Sequence, residues 1–392
     1  MIKVYQMTDY DVIVVGAGPI GSTYAYHMAK KGFDVAIFDM KNRIGEPLQC
    51  AGIVSTNINL SQEVPDEIIY NKVKGAKIYS PNKTLLHVSK NQTVAYVLDR
   101  VYYDKHLFQR AIDEGVTPHL SSRVLDVDIE NTVIKTADNT YTSKIIAVAC
   151  GPVSSTSKKM NPTLSDETFT AIQYTLNTSN QDMENVTLEV HNEILPGFLW
   201  KIPLTNTKQR LGLFTDKSYK EADNILKNAM NEDDVILEKH TGLIPKYNKD
   251  KKIVYNNTIL IGDSASQIKP TTGGGLIVGS NMAKLASDKS ELMLNKNDNK
   301  HLLEYEREYH KRYDNEFRAQ QNVQGIIRDL SDDDFDYMFV QLQQNNVDKI
   351  ISEYGDMDTQ TPLLKQLVKS GIIFKLLPKI GVRRLKNIWK SL

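Results

Sequence analysis

Cysteine is scarce in this chain, whose 392 residues include only Cys50 and Cys150. Two cysteines cannot build the several disulfides that hold a small secreted domain together, so a reducing, cytoplasmic setting is expected. Cysteine and histidine do not cluster at the spacing of metal ligands, and we predict no metal site. We interpret His191 and His240 as ordinary polar residues, because no partner base or nucleophile accompanies them in the sequence.

Charge of one sign and long apolar runs are lacking too. The chain has 48 basic and 48 acidic residues, and this balance gives no support to a nucleic-acid partner. It has no uncharged apolar run long enough to span a membrane, and residues 1–9 lack the apolar core of a signal peptide. The length still permits two domains with cores of their own.

A glycine-rich turn follows the first apolar segment. Tyr10–Val15 has the composition of a buried strand and leads directly into Gly16-Ala17-Gly18-Pro19-Ile20-Gly21. A helix-like run and a second strand follow, and that strand ends at Asp39. Strand, turn, helix, strand and acid in this order are typical of a dinucleotide site, in which the turn meets the pyrophosphate and the acid meets a ribose. The alternative is a glycine-rich turn in an ordinary α/β protein.

A second polar turn occurs late in the chain. The apolar segment that ends at Ile261 leads into Gly262-Asp263, and a glycine run, Gly273 to Gly275, follows before Leu276. An acid at a strand end together with exposed backbone N–H groups suits a second polar portion of a long cofactor. For this reason we predict that Gly274 also contacts the cofactor.

The order of the predicted elements indicates an α/β fold in which a Rossmann-like domain is interrupted by an antiparallel-sheet domain. We assign residues 1–73, 99–154 and 256–330 to a cofactor domain and residues 74–98 and 155–255 to a substrate domain. Residues 331–392 are predicted to be helical, with the acidic cluster Asp332–Asp336 capping a helix N-terminus.

The end of the chain is basic. Residues 362–392 contain eight Lys or Arg and no Asp or Glu, and Leu385, Ile388, Trp389 and Leu392 recur at helical spacing. A basic amphipathic helix with a Trp suits peripheral contact with an anionic membrane surface. The alternative is a terminal helix that packs on the protein's own core.

Several segments resemble known flavoproteins. Gly262-Asp263 with the following glycine run, and the helix start Arg100-Val101-Tyr102-Tyr103-Asp104, resemble motifs of the flavoprotein hydroxylase and reductase superfamily. Gly45–Gly52 and Pro196–Pro203, which contains Trp200, narrow the resemblance to the geranylgeranyl reductase family and to its archaeal members that act on digeranylgeranyl glycerophospholipids. There are two departures: Ile202 stands where the family has Phe, and Cys150-Gly151 stands where hydroxylases have Asp-Gly.

The resemblance implies FAD as cofactor and an isoprenoid glycerophospholipid as substrate. Together with the glycine turns, it aligns these residues with FAD contacts: Gly16, Gly18, Ile20, Gly21, Asp39, Cys50, Ala51, Ile53, Arg100, Val124, Asp263, Gly274, Gly275 and Leu276. It implies an external electron donor, which is a ferredoxin, a deazaflavin or NAD(P)H. A cytoplasmic protein at the inner face of the cell membrane is expected.

The implied reaction saturates isolated alkenes. Hydride attack on such an alkene requires a proton before or with the hydride, since no carbonyl stabilises negative charge on carbon. We predict that reduced FAD supplies the hydride, that Phe198, Trp200 and Pro203 bind the substrate, and that Cys50 positions the substrate or relays a proton. Cys50 as a small buried hydrophobe and Trp200 as core packing are the structural alternatives. An aromatic monooxygenase and a non-catalytic flavin-binding membrane adaptor are the functional ones.

Overall fold

The computed structural model describes residues 8–152, 160, 167–179, 181–376 and 381. The strands in chain order are β1 (Tyr10–Val15), β2 (Val35–Phe38), β3 (Ile53–Ser55), β4 (Ile69–Val73), β5 (Gly75–Tyr79), β6 (Leu85–Ser89), β7 (Ala95–Leu98), β8 (Thr117–His119), β9 (Asp126–Asp128), β10 (Val133–Lys135), β11 (Thr140–Val148), β12 (Thr168–Asn177), β13 (Asn185–Glu189), β14 (Leu199–Thr205), β15 (Lys208–Thr215), β16 (Val235–Pro245), β17 (Val254–Tyr255) and β18 (Thr258–Leu260).

The helices surround these strands and dominate the C-terminal part of the described chain. They are α1 (Pro19–Lys30), α2 (Arg100–Asp113), α3 (Tyr219–Asn228), α4 (Leu276–Lys296), α5 (Lys300–Ile327), α6 (Asp332–Gln344), α7 (Val347–Tyr354), α8 (Thr361–Lys369) and α9 (Ile372–Lys375).

The first sheet has the parallel core of a nucleotide-binding fold. Its main order is β17-β18-β11-β1-β2-β8, and β1 pairs in parallel with both β2 and β11. The central strands are apolar on both faces because helices cover both faces of a parallel sheet, and Val12, Ile13 and Val14 are completely buried. The predicted α/β class with a Rossmann-like domain is confirmed.

The second sheet contains seven strands in the order β16-β12-β15-β14-β13-β5-β6. All its pairings are antiparallel except that of β13 with β5. A small third sheet, β3-β7-β4, is separate from it but packs against it, since Val97 shares a hydrophobic cluster with Trp200 and Phe214. Residues 95–98 therefore do not join the large antiparallel sheet, whereas the predicted substrate domain groups them with it. The domain boundaries stay a prediction.

The acidic cluster behaves as its position predicts. Ser331 is the N-cap of α6, and its side chain accepts a hydrogen bond from the Asp334 N–H in a capping box. The capping prediction is confirmed.

The basic C-terminal segment is only partly described. Leu364 of α8 is buried, and Ile372 and Ile373 of α9 are buried, with Ile373 packed near Ile326 of α5. This portion of the segment packs on the protein itself. The predicted apolar stripe at residues 385–392 lies outside the described residues. Across the described ranges, no helix is both long and apolar enough to cross a membrane.

Candidate active site

A continuous cavity of about 1700 Å³ connects the two glycine-rich turns with the seven-stranded sheet and the C-terminal helices. Small-molecule sites commonly measure about 300–1,000 Å³, so this cavity has room for more than one ligand. Among the predicted site residues, these line it: Gly16, Gly18, Ile20, Asp39, Cys50, Ala51, Ile53, Arg100, Val124, Phe198, Trp200, Asp263, Gly274, Gly275 and Leu276. Gly21 and Pro203 are outside the lining.

The first turn is shaped by its glycines. Gly16 has φ of +105°, and a Cβ there would collide with the carbonyl oxygen of Ala149. A Cβ on Gly21 would collide with the carbonyl oxygen of Gly16, whereas one on Gly18 would meet nothing within 4 Å. Gly16 and Gly21 thus allow close backbone packing, while Gly18 leaves space for a ligand. Helix α1 begins at this point with no side-chain cap, which leaves its first N–H groups for an anion.

Asp39 supports the same turn from the end of β2. Its Oδ2 accepts a hydrogen bond of 2.7 Å from the Ala17 N–H, and its Oδ1 accepts one of 2.8 Å from the Lys41 N–H. A carboxylate oxygen has a second lone pair, so Asp39 can still accept a hydrogen bond from a ribose hydroxyl. The sequence motif indicated the ribose role but not this support of the turn.

The second turn places an acid and a helix start at the cavity. Asp263 follows β18, and burial raises the pKa of its carboxyl group to about 6, against the opposing charges of Arg100 and Lys251. Gly275 is the N-cap of α4 and makes no side-chain cap bond. A Cβ on Gly275 would stand 3.0 Å from Asp263 Oδ1, so this glycine keeps the acid and the helix start close together.

Between the two turns lies a cluster of buried charges. Arg100 donates hydrogen bonds to Asp104 from Nε at 3.0 Å and from Nη2 at 3.1 Å, and both side chains are buried. The guanidinium group of Arg210 donates to the Ala51 carbonyl at 2.7 Å, and burial lowers its pKa. Cys50 is a free thiol within electrostatic range of both arginines.

The predicted substrate segment is divided by the structure. Phe198 and Trp200 lie on the cavity wall with ring centroids 6.1 Å apart, and Phe198 also contacts Phe214. Trp200 is 8% exposed and belongs to a hydrophobic cluster, so it packs in the core and also faces the cavity. Pro203 instead lies off the wall, because alternate residues of a strand point to opposite faces and Trp200 and Ile202 are on the cavity face. The carbonyl of Pro203 accepts a hydrogen bond from the Asn71 side chain. Ile202 lines the cavity in its place.

The far part of the cavity is an apolar chamber that the motifs did not indicate. We define the chamber by its two walls. One wall consists of Ile78, Val88, Val186 and Leu188 of the seven-stranded sheet, and the other of Val323, Ile327, Leu342, Ile351, Leu363, Leu364 and Leu367 of the C-terminal helices. These residues are scattered over nearly the whole chain, so only the helical periodicity of their segments was visible in the sequence.

His240 was underestimated by the sequence analysis. Its imidazole lies on the cavity wall, and its Nε2 is 3.1 Å from Glu238 Oε2. Glu238 is therefore an acidic partner of His240 that the sequence pattern did not indicate, because β16 places residues 238 and 240 on the same face. His191 is not among the residues that line the cavity. The described residues contain no group of three or more His, Cys, Asp or Glu that could hold a metal ion.

The site fits FAD on structural grounds. Helices α1 and α4 both begin at this cavity without a side-chain cap. Each N-terminus lies beside glycines at which a larger residue would collide with neighbouring atoms. Thr272 in the glycine run has a buried Oγ1 with no hydrogen-bond partner among the described residues, which suits a polar ligand there. The turn with Asp39 would hold the adenosine and pyrophosphate, and Asp263 with Gly275 would hold the second polar portion.

Two family models match this chain: an NAD(P)-binding Rossmann-like domain over residues 14–57 and tryptophan halogenase over residues 61–319. A digeranylgeranylglycerophospholipid reductase of Methanococcoides burtonii is 30% identical over 311 residues, which cover 74% of this chain and 76% of the relative. Another such reductase, of Methanosphaera stadtmanae, is 27% identical and covers 97% of this chain and 96% of its own length.

Solved structures show the same fold. A geranylgeranyl bacteriochlorophyll reductase-like protein of Thermoplasma acidophilum aligns with a TM-score of 0.83 at 23% identity, covering 98% of this chain and 99% of that one. A myxobacterial FAD-dependent chondrochloren halogenase aligns with a TM-score of 0.66 at 15% identity, covering 90% and 91%. The predicted family resemblance and the prediction of FAD as cofactor are confirmed. The chain belongs to the digeranylgeranylglycerophospholipid reductase family of FAD-dependent oxidoreductases, within the wider group that the tryptophan halogenase model describes.

Proposed function

We propose that this protein saturates the isoprenoid double bonds of a digeranylgeranyl glycerophospholipid, with reduced FAD as the source of hydride. One observation carries this proposal: the cavity that begins at the glycine turns continues without a break into the apolar chamber. A cavity with a cofactor site at one end and a long apolar space at the other suits a substrate that is mostly hydrocarbon. The relatives named for this reaction support the same substrate class.

The chemistry places specific demands on the residues near the cofactor end. Bound reduced FAD supplies a hydride, and an isolated trisubstituted alkene accepts it at the tertiary carbon only when a proton reaches the other carbon. Positive charge develops at the tertiary carbon in this process. The aromatic faces of Phe198 and Trp200 border the cavity here and favour that charge.

The chamber accommodates the part of the isoprenoid tail that is not at the cofactor. Its apolar walls contact the isoprenoid tail without offering hydrogen bonds, and they exclude water that would otherwise compete for the developing charge. Because the isoprenoid tail can slide along such an apolar chamber, its successive double bonds can reach the cofactor end of the cavity.

The experiment uses the full protein loaded with FAD and reduced by dithionite in the absence of oxygen. It is mixed with digeranylgeranyl glycerophosphate in detergent micelles, and the lipid is analysed by mass spectrometry. We expect the lipid mass to rise in steps of one hydrogen pair. Oxygen incorporation after air is admitted would support a monooxygenase instead. An unchanged lipid would favour the non-catalytic flavin-binding membrane adaptor.

A variant that fills the chamber tests the role of the walls. Ile351→Trp adds bulk to the wall, so we expect little reduction of the long lipid while a short isoprenoid alcohol is still reduced. Val235→Trp is the matched control, because Val235 is 56% exposed on β16 and does not line the cavity. Equal reduction of the long lipid by both variants would contradict the chamber's role.

We also propose a redox partner and peripheral membrane contact. The reaction consumes two electrons per double bond, which an external donor must restore to the flavin. Ferredoxin, a reduced deazaflavin and NAD(P)H can be compared directly by the rate at which each bleaches the bound flavin. The lipid substrate is expected to be taken from the inner face of the cell membrane, with the basic C-terminal segment as the contact.

A further inference from the structure

One face of the seven-stranded sheet carries a row of residues that changes from apolar to polar. The strand register pairs Ile78 with Leu188, Leu188 with Trp200, Trp200 with Gly212, Gly212 with Gln173, and Gln173 with His240. Directly paired residues share a face, and all of these except Gly212 line the cavity. Neighbouring strands are about 4.8 Å apart, so His240 stands roughly 14 Å from Trp200 along the row.

Three buried polar atoms on this face have no hydrogen-bond partner among the described residues. They are Trp200 Nε1, Gln173 Oε1 and Arg210 Nε, on side chains of residues that are 8%, 4% and 3% exposed. A buried polar atom without a partner is unfavourable. Two donors and one acceptor on the same sheet face can be satisfied by a water molecule.

The side chains of Trp200 and Gln173 border the same glycine, Gly212. A Cβ on Gly212 would stand 2.6 Å from Trp200 Cε2, the atom that carries Nε1, and 2.7 Å from Gln173 Cβ. The glycine thus lets the indole edge lie beside the glutamine. Gln173 is held in turn by its Nε2, which donates a hydrogen bond of 3.0 Å to the Cys50 carbonyl. The polar end of the row therefore adjoins the cofactor end of the cavity.

Beyond Gln173, His240 and its partner Glu238 lead outward to solvent. The side chain of His240 is 13% exposed, whereas that of its partner Glu238 is 62% exposed. Glu238 also accepts a hydrogen bond of 3.3 Å from Thr175 Oγ1. Tyr70 is the titratable group of a neighbouring element that lies within electrostatic range of Glu238, and Tyr70 is in turn within range of Asp99 and Arg210.

We infer that Glu238 and His240 form a proton inlet for alkene reduction, with a water held by Gln173 and Trp200 as the last carrier; this inference rests on the proposed function. The proton forms a C–H bond at the less substituted alkene carbon, with the two π electrons as its electron pair. The hydride from reduced FAD forms the C–H bond at the tertiary carbon. His240 gives up its proton to the water as an imidazolium and regains one from solvent through Glu238.

This arrangement supplies an acid that Cys50 cannot supply equally well. An imidazolium is in general a stronger acid than a thiol. Cys50 then contributes through its carbonyl, which orients the Gln173 amide.

The experiment compares His240→Gln and Glu238→Gln with the wild type and with His87→Gln, a control for an exposed histidine outside the cavity. The FAD-loaded, reduced proteins are mixed with the lipid alkene without oxygen, and the return of oxidised flavin is followed. Loss of a positioned general acid typically slows a reaction about 10²-fold, and we expect that slowing in His240→Gln. Added imidazole is expected to restore part of the rate in His240→Ala, which a merely structural role would not produce.

A second measurement does not depend on turnover. The ring signals of His240 are followed by NMR in the cofactor-free protein. They are expected to shift in Glu238→Gln, because the ring loses the carboxylate that lies 3.1 Å from its Nε2, and to stay constant in His87→Gln. Glu238 is exposed, so this variant is expected to fold.

The possible outcomes separate the two proposals. A wild-type protein that reduces no alkene overturns the proposed function, and the inlet with it. A wild-type protein that reduces the lipid, with His240→Gln equally fast and imidazole without effect, overturns the inlet alone. His240 ring signals that stay unchanged in Glu238→Gln also overturn it.

Discussion

At the scale of single residues, Asp263 links the cofactor site to pH. Burial raises the pKa of its carboxyl group from 3.8 to about 6, so the folded protein holds a proton that the unfolded chain releases. In the cofactor-free protein, the contribution of Asp263 to stability is therefore fully present below its ordinary pKa of 3.8 and is lost as pH rises through about 6.

Asp263→Asn removes this dependence. We expect the free energy of unfolding of the cofactor-free wild type to fall by roughly 1–3 kcal/mol relative to the variant between about pH 4 and about pH 7.5. Urea unfolding at both pH values measures the difference. Asp138→Asn is the control, because Asp138 is exposed on a turn. A constant difference between wild type and Asp263→Asn would contradict the argument.

Gly212 is the residue on which the position of Trp200 depends. In Gly212→Ala, the added Cβ would stand 2.6 Å from the indole, so the ring must move. We expect a loss of about 1–3 kcal/mol in unfolding free energy, together with altered fluorescence of the buried Trp200.

The control for Gly212→Ala is a glycine with free space around it. A Cβ on Gly325 of α5 would meet nothing within 4 Å, so Gly325→Ala is expected to stabilise the protein by about 0.5–1 kcal/mol through helix propensity. Similar effects of both substitutions would show that the indole has room to adjust.

At the scale of elements, the glycine run before α4 is tied to the loop between α7 and α8. Lys269 donates hydrogen bonds of 2.8 Å to Asp358 Oδ1 and to the Met357 carbonyl. Asp358 Oδ2 accepts from Ser55 and Asn57. This clasp, formed by Lys269, Asp358, Ser55 and Asn57, connects the cofactor end of the cavity to the helices that close the chamber.

Burial alone would raise the pKa of Asp358, but the charge of Lys269 and the hydrogen bonds from Ser55 and Asn57 lower it below the ordinary 3.8. The stabilisation by the clasp is therefore present at neutral pH and is lost as pH falls through the lowered pKa.

Asp358→Asn leaves the buried Lys269 ammonium without its counter-charge. We expect a loss of roughly 3 kcal/mol in unfolding free energy and faster hydrogen exchange at the Gln360 and Thr361 amides, which bond to Glu316 beside the clasp. Asp66→Asn, which breaks an exposed pair with Lys72, should have a much smaller effect because solvent screens that pair. Equal losses in the two variants would mean that the clasp contributes no more than a surface pair.

At the scale of the whole molecule, our proposal assigns contact with the lipid surface to the basic C-terminal segment. Truncation after Leu376 removes five basic residues and the apolar stripe, yet keeps the chamber residues of α8. Each basic residue near an anionic surface contributes about 1 kcal/mol, so we expect at least about a tenfold loss of binding to phosphatidylglycerol vesicles at low salt.

Vesicle sedimentation measures this binding, and the flavin spectrum of the truncated protein checks that the site is intact. Raising the salt concentration should weaken binding of the full chain more than that of the truncated one, since screening acts on charge. Unchanged vesicle binding after truncation would favour the alternative in which the segment packs on the protein.

The two turns were predictable because their requirements are local. Gly16 needs positive φ and close packing, and Asp39 and Asp263 stand at strand ends, so a short stretch of sequence carries each signal. The sequence also predicts strands at residues 169–176, 198–204 and 208–214, and β12, β14 and β15 lie close to these ranges, because apolar runs between polar turns mark them. The mostly exposed β16 was missed, since its outward residues give no clear periodicity.

The sequence by itself determined the cofactor class and the family, through backbone geometry that only particular residues permit. Only the tertiary structure decided that His240, Gln173 and Trp200 share one row, and that α5 to α8 complete the chamber. Strand register and helix docking depend on packing between segments far apart in the chain, and no local pattern encodes that packing.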